Sequence, residues 1–329
     1  MKLLDWYRQV YRPARHPGDS HRSTVETYEF DIKKFDRYMR EHRGRDAEVD
    51  DLTDENLCGA MSWMIDSGLE RSTANKFLRT LNALWRFAHR RKLLLTEPDN
   101  DKLRVDGKDP IAFLPDEKHA LLDAAPLMPG TVGPQQIKAG RWWLGTLLMC
   151  FSFGPRITSL RFLPSENLDL VRGEVLLPSG WHKGRKEQRR DLYPSCTAIW
   201  RELDPAGRGL KYVLDDFADP RTGRRFCDRT FNKHFRRIHV LAGLAKKPAD
   251  VPDYWLSHCI RKTVASEIYA VAGIHVACEV LGHSSIEVTK RYIDPRYTSQ
   301  IRVRDLLDDP IGAPPDPRPL FRIYRPEAS

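Results

Sequence analysis

The 329-residue chain lacks paired cysteines: Cys58, Cys150, Cys196, Cys227, Cys259 and Cys278 are scattered, with no CxxC among them. That spacing argues against a zinc ribbon and a disulfide framework, and points to reduced, buried thiols of an intracellular protein. The chain also lacks any run of roughly eighteen apolar residues, so nothing reads as a membrane span. Met1 to Pro17 holds no apolar stretch of the kind a secretory signal needs. No Asp, Glu and His residues cluster at metal-ligand spacing, and no internal repeat is visible. The expectation is a cytoplasmic protein with no metal or other cofactor.

Acid is missing locally. The chain as a whole carries 54 Lys and Arg against 45 Asp and Glu, a net charge of +9. From Arg71 to Lys92, however, there are seven basic residues and no acid, and from Arg221 to Lys247 nine against one. Asp46 to Glu55 is strongly acidic instead. Solvated helices carry charge too, but charge segregated in this way suits a face for phosphates.

The length favours two domains. Helical spacing runs over Ser23–His42, where Ser23 and Glu26 have capping-box spacing, then over Leu52–Ser67 and Ser72–Lys92. These helices form a compact first domain, residues 21–96, behind an N-terminal extension at 1–20. Pro98, Gly107 and Pro110 make 97–114 the linker. The second domain, 115–310, has helices at Asp116–Ala125 and Arg141–Phe153. A charged β-hairpin follows, with strands at Glu174–Pro178 and Arg190–Tyr193. Further helices are expected at Asp228–Gly243, Leu256–Gly273, Val276–Leu281 and Ser285–Tyr292. The tail, 311–329, is Pro-rich.

Three separated segments carry the chemistry: Gly154-Pro155-Arg156, Leu256-Ser257-His258-Cys259-Ile260-Arg261, and Leu281-Gly282-His283 with Thr289 and Tyr292 beyond it. His258 and Arg261 are three residues apart, so on a helix they share a face and can grip one oxyanion. Gly282 suits a helix end and leaves His283 in the turn, while Ser284 and Glu287 have capping-box spacing for the next helix. Taken singly, each residue has an ordinary structural use. Their order and spacing carry the signal.

That order resembles the tyrosine recombinases of the phage integrase and Xer type. An Arg follows a Gly, a Lys sits in a hairpin, then come HxxR, LGH, and a Tyr nine residues past that last His. The resemblance covers Leu114 to about Asp294 well and the first domain more loosely. It implies a mainly α fold with a small β-sheet or hairpin, in two domains: a helical core-binding domain and an α+β catalytic domain that clamp duplex DNA. It makes Arg156 and Arg261 the clamp arginines, His258 and His283 the histidines and Tyr292 the nucleophile, with Tyr297 next in line. Lys183, in the run Lys183-Gly184-Arg185-Lys186-Glu187-Gln188-Arg189, is the catalytic lysine, with Lys186 as the fallback. Arg71, Lys76, Arg79, Arg86, Arg90, Arg91, Lys186 and Arg189 are the expected DNA contacts. Two departures stand out. Ser159 occupies the place of an acid that braces the first arginine, and Lys262 follows Arg261 where His is frequent.

The implied reaction is metal-free and ATP-free. Tyrosine attacks a phosphodiester, two arginines neutralise the developing charge, and a 3′-phosphotyrosine conserves the bond energy for resealing. Strand exchange implies four protomers on two specific DNA sites, on the nucleoid. The small apolar cluster Leu320, Phe321, Ile323 and Tyr324 is the candidate contact between neighbouring protomers. Two alternatives share the DNA: a catalytically degenerate DNA-binding regulator, which Ser159 favours, and a type IB topoisomerase-like or end-resolving strand transferase.

Overall fold

The computed structural model describes residues 1–17, 22–107, 109–178, 187–217, 228–244 and 257–298. It divides into two units, Met1–Gly107 and Lys108–Ser329, each built on its own hydrophobic core. Among the described residues it is mostly helical, with one two-stranded and one three-stranded antiparallel sheet.

Most of the segment read as an N-terminal extension is itself helical. It holds α1 (Leu3–Trp6), a π-helical turn (Tyr7–Tyr11) and α2 (Arg12–Arg15). Leu3, Trp6, Tyr7 and Tyr11 recur every three or four residues, and all four are buried in the core of the first unit. Pro13 obscured that period, yet the chain stays helical through it, from the π-helical turn into α2. Arg8 pairs with Glu29 through two hydrogen bonds of 3.0 and 3.1 Å, and the Tyr7 ring stacks on Tyr28.

The rest of this unit is α3 (Arg22–Arg43), α4 (Asp54–Asp66) and α5 (Arg71–Arg90). Because α3 begins at Arg22, Ser23 lies inside its first turn and does not cap it. Thr53 does cap α4, accepting from Asn56 N. On α5, Ala74, Phe77, Leu78, Leu81, Leu84, Trp85 and Ala88 face the core. The segment 97–114 is tied down at both ends. Leu103 N donates to Asn75 and Asn100 Nδ2 to Asp54, while Ala112 N donates to Asp294 and Phe113 N to Thr263.

In the second unit α6 (Pro115–Ala124) precedes a short ribbon of β1 (Thr131–Val132) and β2 (Ile137–Lys138). Helix α7 (Ala139–Phe153) is the central rod, with nearly every residue buried. After α8 (Ile157–Arg161) come β3 (Leu168–Asp169), β4 (Glu174–Leu177) and β5 (Gln188–Asp191), paired in that order. The second hairpin strand thus starts two residues earlier than its sequence suggests, with Val175 opposite Arg190. Helix α9 (Pro194–Leu203) has no counterpart in the sequence reading; Pro194 opens it at a first-turn position.

Helices α10 (Asp228–Leu241), α11 (His258–Leu281), α12 (Ile286–Lys290) and α13 (Pro295–Thr298) complete the described unit. By length and composition alone α11 is apolar enough to cross a membrane, although its sequence did not suggest it. It leaves helical geometry at Gly273 (φ 80°), however, and its first half is core: Cys259, Ile260, Val264 and Ala265 are all buried. Cys150, Cys196 and Cys259 are buried as expected, but Cys58 is exposed. Cys227, the tail cluster Leu320–Tyr324 and the whole 311–329 segment lie outside the described residues.

Candidate active site

Three local structures bring the site together. Helix α7 ends in a left-handed Gly154 (φ 59°), where an added Cβ would meet Leu281 and Val264 at 3.1 and 3.2 Å. Pro155 then leads the chain so that Arg156 occupies the N-cap of α8. Leu160 N bonds back to the Arg156 carbonyl at 3.0 Å. Ser159 makes no side-chain hydrogen bond among the described residues, so backbone geometry holds Arg156 where the acid is missing.

Helix α11 contributes His258 at its first residue and Arg261 one turn on. Arg261 is only 3% exposed. Its Nη1 donates to the Gly154 carbonyl, and its Nη2 to the Leu281 carbonyl at 2.6 Å and to His283 Nε2 at 2.9 Å. One guanidinium therefore joins the end of α7, the end of α11 and the turn after it. At that end Gly282 is left-handed (φ 63°), and His283 N closes the helix on the Cys278 carbonyl at 3.0 Å.

Helix α12 presents the tyrosine. Ser285, not Ser284, is its N-cap, and makes no capping bond with its side chain; Glu287 pairs with Lys290. Tyr292 lies in the turn just beyond. Its N–H donates to Thr289 O at 2.8 Å, and its carbonyl accepts from Ser266 Oγ at 3.3 Å. Two residues on, the buried Asp294 takes hydrogen bonds from Ala112 N and Arg296. The Tyr292 ring sits 4.7 Å from the His283 ring and 5.1 Å from the exposed His258 ring, with the Arg261 guanidinium 5.7 Å from its centre.

Four of the six residues singled out as catalytic, His258, Arg261, His283 and Tyr292, thus meet in one group. Arg156 belongs beside them, because its charge depresses the pKa of both Arg261 and His283. Lys183 and Lys186 lie outside the described residues. Tyr297 is no alternative nucleophile: its hydroxyl donates to the Phe113 carbonyl and burial pushes its pKa up.

The charge balance is the site's most informative property. Among the described residues Arg261 and Arg156 have no carboxylate partner. By contrast, the buried Asp216 neutralises Arg208 through bonds of 2.6 and 2.8 Å. Burial, then the neighbouring Arg156 charge, press Arg261 down to about 10, which still leaves it cationic at neutral pH. Burial, followed by the Arg261, Arg156 and His258 charges, holds His283 at about 4. Arg261 Nε is buried with no acceptor among the described residues. Two close, unneutralised cations in a partly dry site favour an incoming anion strongly.

Sequence reasoning missed how the hairpin is docked. Arg190 on β5 donates from Nε to the Val280 carbonyl at 3.0 Å and from Nη2 to the Glu279 carbonyl at 2.7 Å. It also bonds Gln188 Oε1, which lies 3.1 Å from where a Gly282 Cβ would stand. The strand after the lysine loop is therefore anchored on the helix end that carries His283. No sequence signal announces it, because Arg190 stands far along the chain from Glu279 and Val280 and meets only their carbonyls.

The expected DNA contacts Arg71, Lys76, Arg79, Arg86, Arg90 and Arg91 are all exposed on α5 or at its C-cap. Arg71 reaches the Arg104 carbonyl, and Arg91 lies over the Phe87 ring. Arg189 is exposed on β5 and pairs with Glu174 at 3.5 Å.

Residues 135–299 match the sequence profile of the phage integrase family, and residues 20–92 that of the phage integrase N-terminal SAM-like domain. The chain belongs to the phage integrase family of tyrosine recombinases. It is similar to the tyrosine recombinase XerD of Staphylococcus aureus strain N315, 24% identical over 296 residues covering 87% of this chain and 91% of the relative. XerD of Staphylococcus haemolyticus is 22% identical over 298 residues, with the same coverage. In fold, the recombinase is similar to a lambda integrase dimer bound to a core site (TM-score 0.66, 19% identity, 90% of this chain and 96% of that one). It is also similar to the Tn1549 transposon integrase in complex with a circular-intermediate DNA (TM-score 0.65, 16% identity, 89% and 95%). The matched catalytic segment contains Arg156, Lys183, His258, Arg261, His283 and Tyr292.

A second histidine outside the site shares the low pKa of His283. His239 is fully buried, packed on Phe113 and Phe235, and burial holds it at about 4. The unfolded chain protonates such a group near 6.5, so between 6.5 and 4 the unfolded state binds more protons than the folded one. Stability is full above that window and falls as pH drops through it. His239→Phe keeps a ring in place and should remove about 1–2 kcal/mol of the loss between pH 7 and pH 5. Urea midpoints of both proteins at the two pH values measure this; parallel declines would refute it.

Proposed function

We propose that this recombinase performs site-specific strand exchange with Tyr292 as nucleophile. Tyr292 Oη gives its proton to His258 as it attacks the phosphorus and forms a P–O bond. The bond to the 5′ oxygen breaks, and its electron pair leaves with that oxygen, which takes a proton from Lys183. Arg156 and Arg261 hold the non-bridging oxygens while charge develops on them, and His258 and His283 hydrogen-bond the same phosphate. The 3′-phosphotyrosine then accepts a 5′-hydroxyl from a partner duplex by the reverse displacement. In this reading neither ATP nor a metal enters.

The observation that carries the reading is Arg261, buried and cationic among neutral acceptors, its Nε without an acceptor among the described residues. Removing a buried cation from its counter-charge costs several kcal/mol. Here a phosphodiester is the counter-charge. The relatives solved on a core site, on a circular intermediate and, as a tetramer, on a Holliday junction support carrying duplex DNA and fourfold assembly over to this chain. We place the reaction in the cytoplasm, on the nucleoid.

The first unit supplies phosphate contacts in this account. Lys76, Arg79, Arg86 and Arg90 recur at steps of three, seven and four, so they fall within one arc of α5. The stripe runs for about 21 Å. Replacing any one of the four by Gln should weaken binding to every duplex alike and lower the slope of log K against log salt by about 1. An unchanged slope would remove that residue from the interface.

Nicked duplexes from the DNA flanking the gene, incubated with the protein in EDTA and stopped with SDS, test the function. The expected product is a protease-sensitive protein adduct on a 3′ end. Recombinant products that need two sites mark strand exchange; relaxation on one site would mark the topoisomerase-like alternative. Tight binding without an adduct on any duplex would mark the regulator.

A further inference from the structure

Side chains engage both ring nitrogens of His283. Nε2 lies 2.9 Å from Arg261 Nη2, and Nδ1 lies 2.9 Å from Thr289 Oγ1. A guanidinium only donates, so Nε2 is the acceptor and the proton of the neutral ring sits on Nδ1, directed at the threonine oxygen. Thr289 is fully buried (0% exposed), so water cannot substitute for its hydroxyl. Its carbonyl accepts from Tyr292 N at 2.8 Å. A continuous path therefore runs from the helix that presents Tyr292, through Thr289, His283 and Arg261, to the Gly154 carbonyl beside Arg156.

We propose that Thr289 is a positioning residue of the strand-cleavage reaction: its hydroxyl fixes His283 in the Nδ1–H form and keeps Nε2 turned to the phosphate clamp. The proposal rests on the reading of His283, Arg261 and Tyr292 as the phosphotransfer site. A hydroxyl oxygen accepts from Nδ1–H whether the ring is neutral or cationic. Without DNA, Arg261 and His258 on α11, Arg156 before α8 and the buried setting keep the ring neutral. With a phosphodiester beside Nε2, the anion offsets those charges. Once the phosphate draws the Arg261 Nη2 hydrogen away from Nε2, the ring takes a proton from solvent and Nε2–H donates to a non-bridging oxygen. Thr289 supports the charged form, because hydrogen bonding to a charged form stabilises it. Its effect belongs to the same class as the partners that orient metal-bound histidines, where loss costs about 10–100-fold.

Thr289→Val keeps the shape and removes the hydroxyl; Thr289→Ser keeps the hydroxyl. In the free wild-type protein at pH 7, the ¹⁵N spectrum of His283 should show Nδ1 protonated and Nε2 bare. Single-turnover cleavage of the nicked flanking duplexes should be about tenfold slower for the Val variant, with duplex affinity within twofold. The alkaline limb of its pH–rate profile should move down by about one unit, and the Ser variant should restore both rate and limb. A purely structural threonine would lower the urea midpoint and leave the limb in place. That result, a proton on Nε2 in the free protein, or a Ser variant as slow as Val would overturn the proposal. Failure of the wild type to form an adduct on any duplex would sink the recombinase reading, while the ¹⁵N result would still decide the tautomer.

Discussion

Arg261→Lys is expected to slow strand cleavage by about 10²–10³-fold, the loss typical of deleting one preorganised donor to a developing oxyanion. Lysine keeps the charge but not the planar fork. The guanidinium reaches the Gly154 carbonyl from Nη1 and the Leu281 carbonyl and His283 Nε2 from Nη2, two nitrogens where lysine offers one. Buried carbonyls are left unpaired, so stability should fall as well, by about 2–4 kcal/mol. Arg156→Lys separates the two effects. Arg156 is partly exposed, so its replacement should cost cleavage with little change in the urea midpoint. Measuring rates and midpoints for both variants checks the assignment. A fast Arg261→Lys enzyme, or equal stability losses in the two, would contradict it.

Tyr292→Phe is expected to abolish the adduct, by at least about 10⁴-fold, while leaving the fold and DNA affinity unchanged. The substitution removes one oxygen. What holds the residue in place is backbone: Thr289 O and Ser266 Oγ grip its peptide groups, and Asp294 fixes the chain two residues later. The ring contacts with His283 and His258 need no hydroxyl. A gel comparing wild type and variant on the same nicked duplexes reads this directly, with thermal melting as the control for folding. An adduct formed by Tyr292→Phe would move the nucleophile elsewhere. Tyr297 offers no refuge, because its hydroxyl is committed to the Phe113 carbonyl.

The parts of this molecule that announce themselves in the sequence are those governed by short spacings. The periodicity of Phe77, Leu81, Leu84, Trp85 and Ala88 gives α5, and its cations fall on the opposite face because nothing else is left for them. Gly282 predicts a helix end because only a residue without Cβ adopts its conformation cheaply. Where local rules misled, tertiary packing had overridden them. Met1–Arg15 looks polar and is broken by proline, yet it buries two tyrosines and a tryptophan. The Ser23–Glu26 and Ser284–Glu287 capping boxes satisfy the spacing rule, but α3 is already helical at Arg22, ahead of Ser23, and α12 begins one residue later than the rule requires.

The site divides along the same line. Side chains that act on phosphate were legible, since HxxR, LGH and the following tyrosine have fixed separations within a short stretch. What positions them was not. Arg261 reaches backbone carbonyls at Gly154 and Leu281, and Arg190 reaches those of Glu279 and Val280. Carbonyl acceptors carry no residue identity, so sequence cannot name them. Thr289 was visible only as a residue in passing. Its role emerges once the Oγ1 distance to His283 is known.

The most direct test of the account is to isolate the DNA-linked protein, digest it with trypsin and nuclease, and sequence the modified peptide by mass spectrometry. The account predicts a nucleotide phosphate on the tyrosine of the peptide Tyr292–Arg296, joined through the 3′ oxygen. Linkage through a 5′ phosphate, or on any other residue, would contradict it.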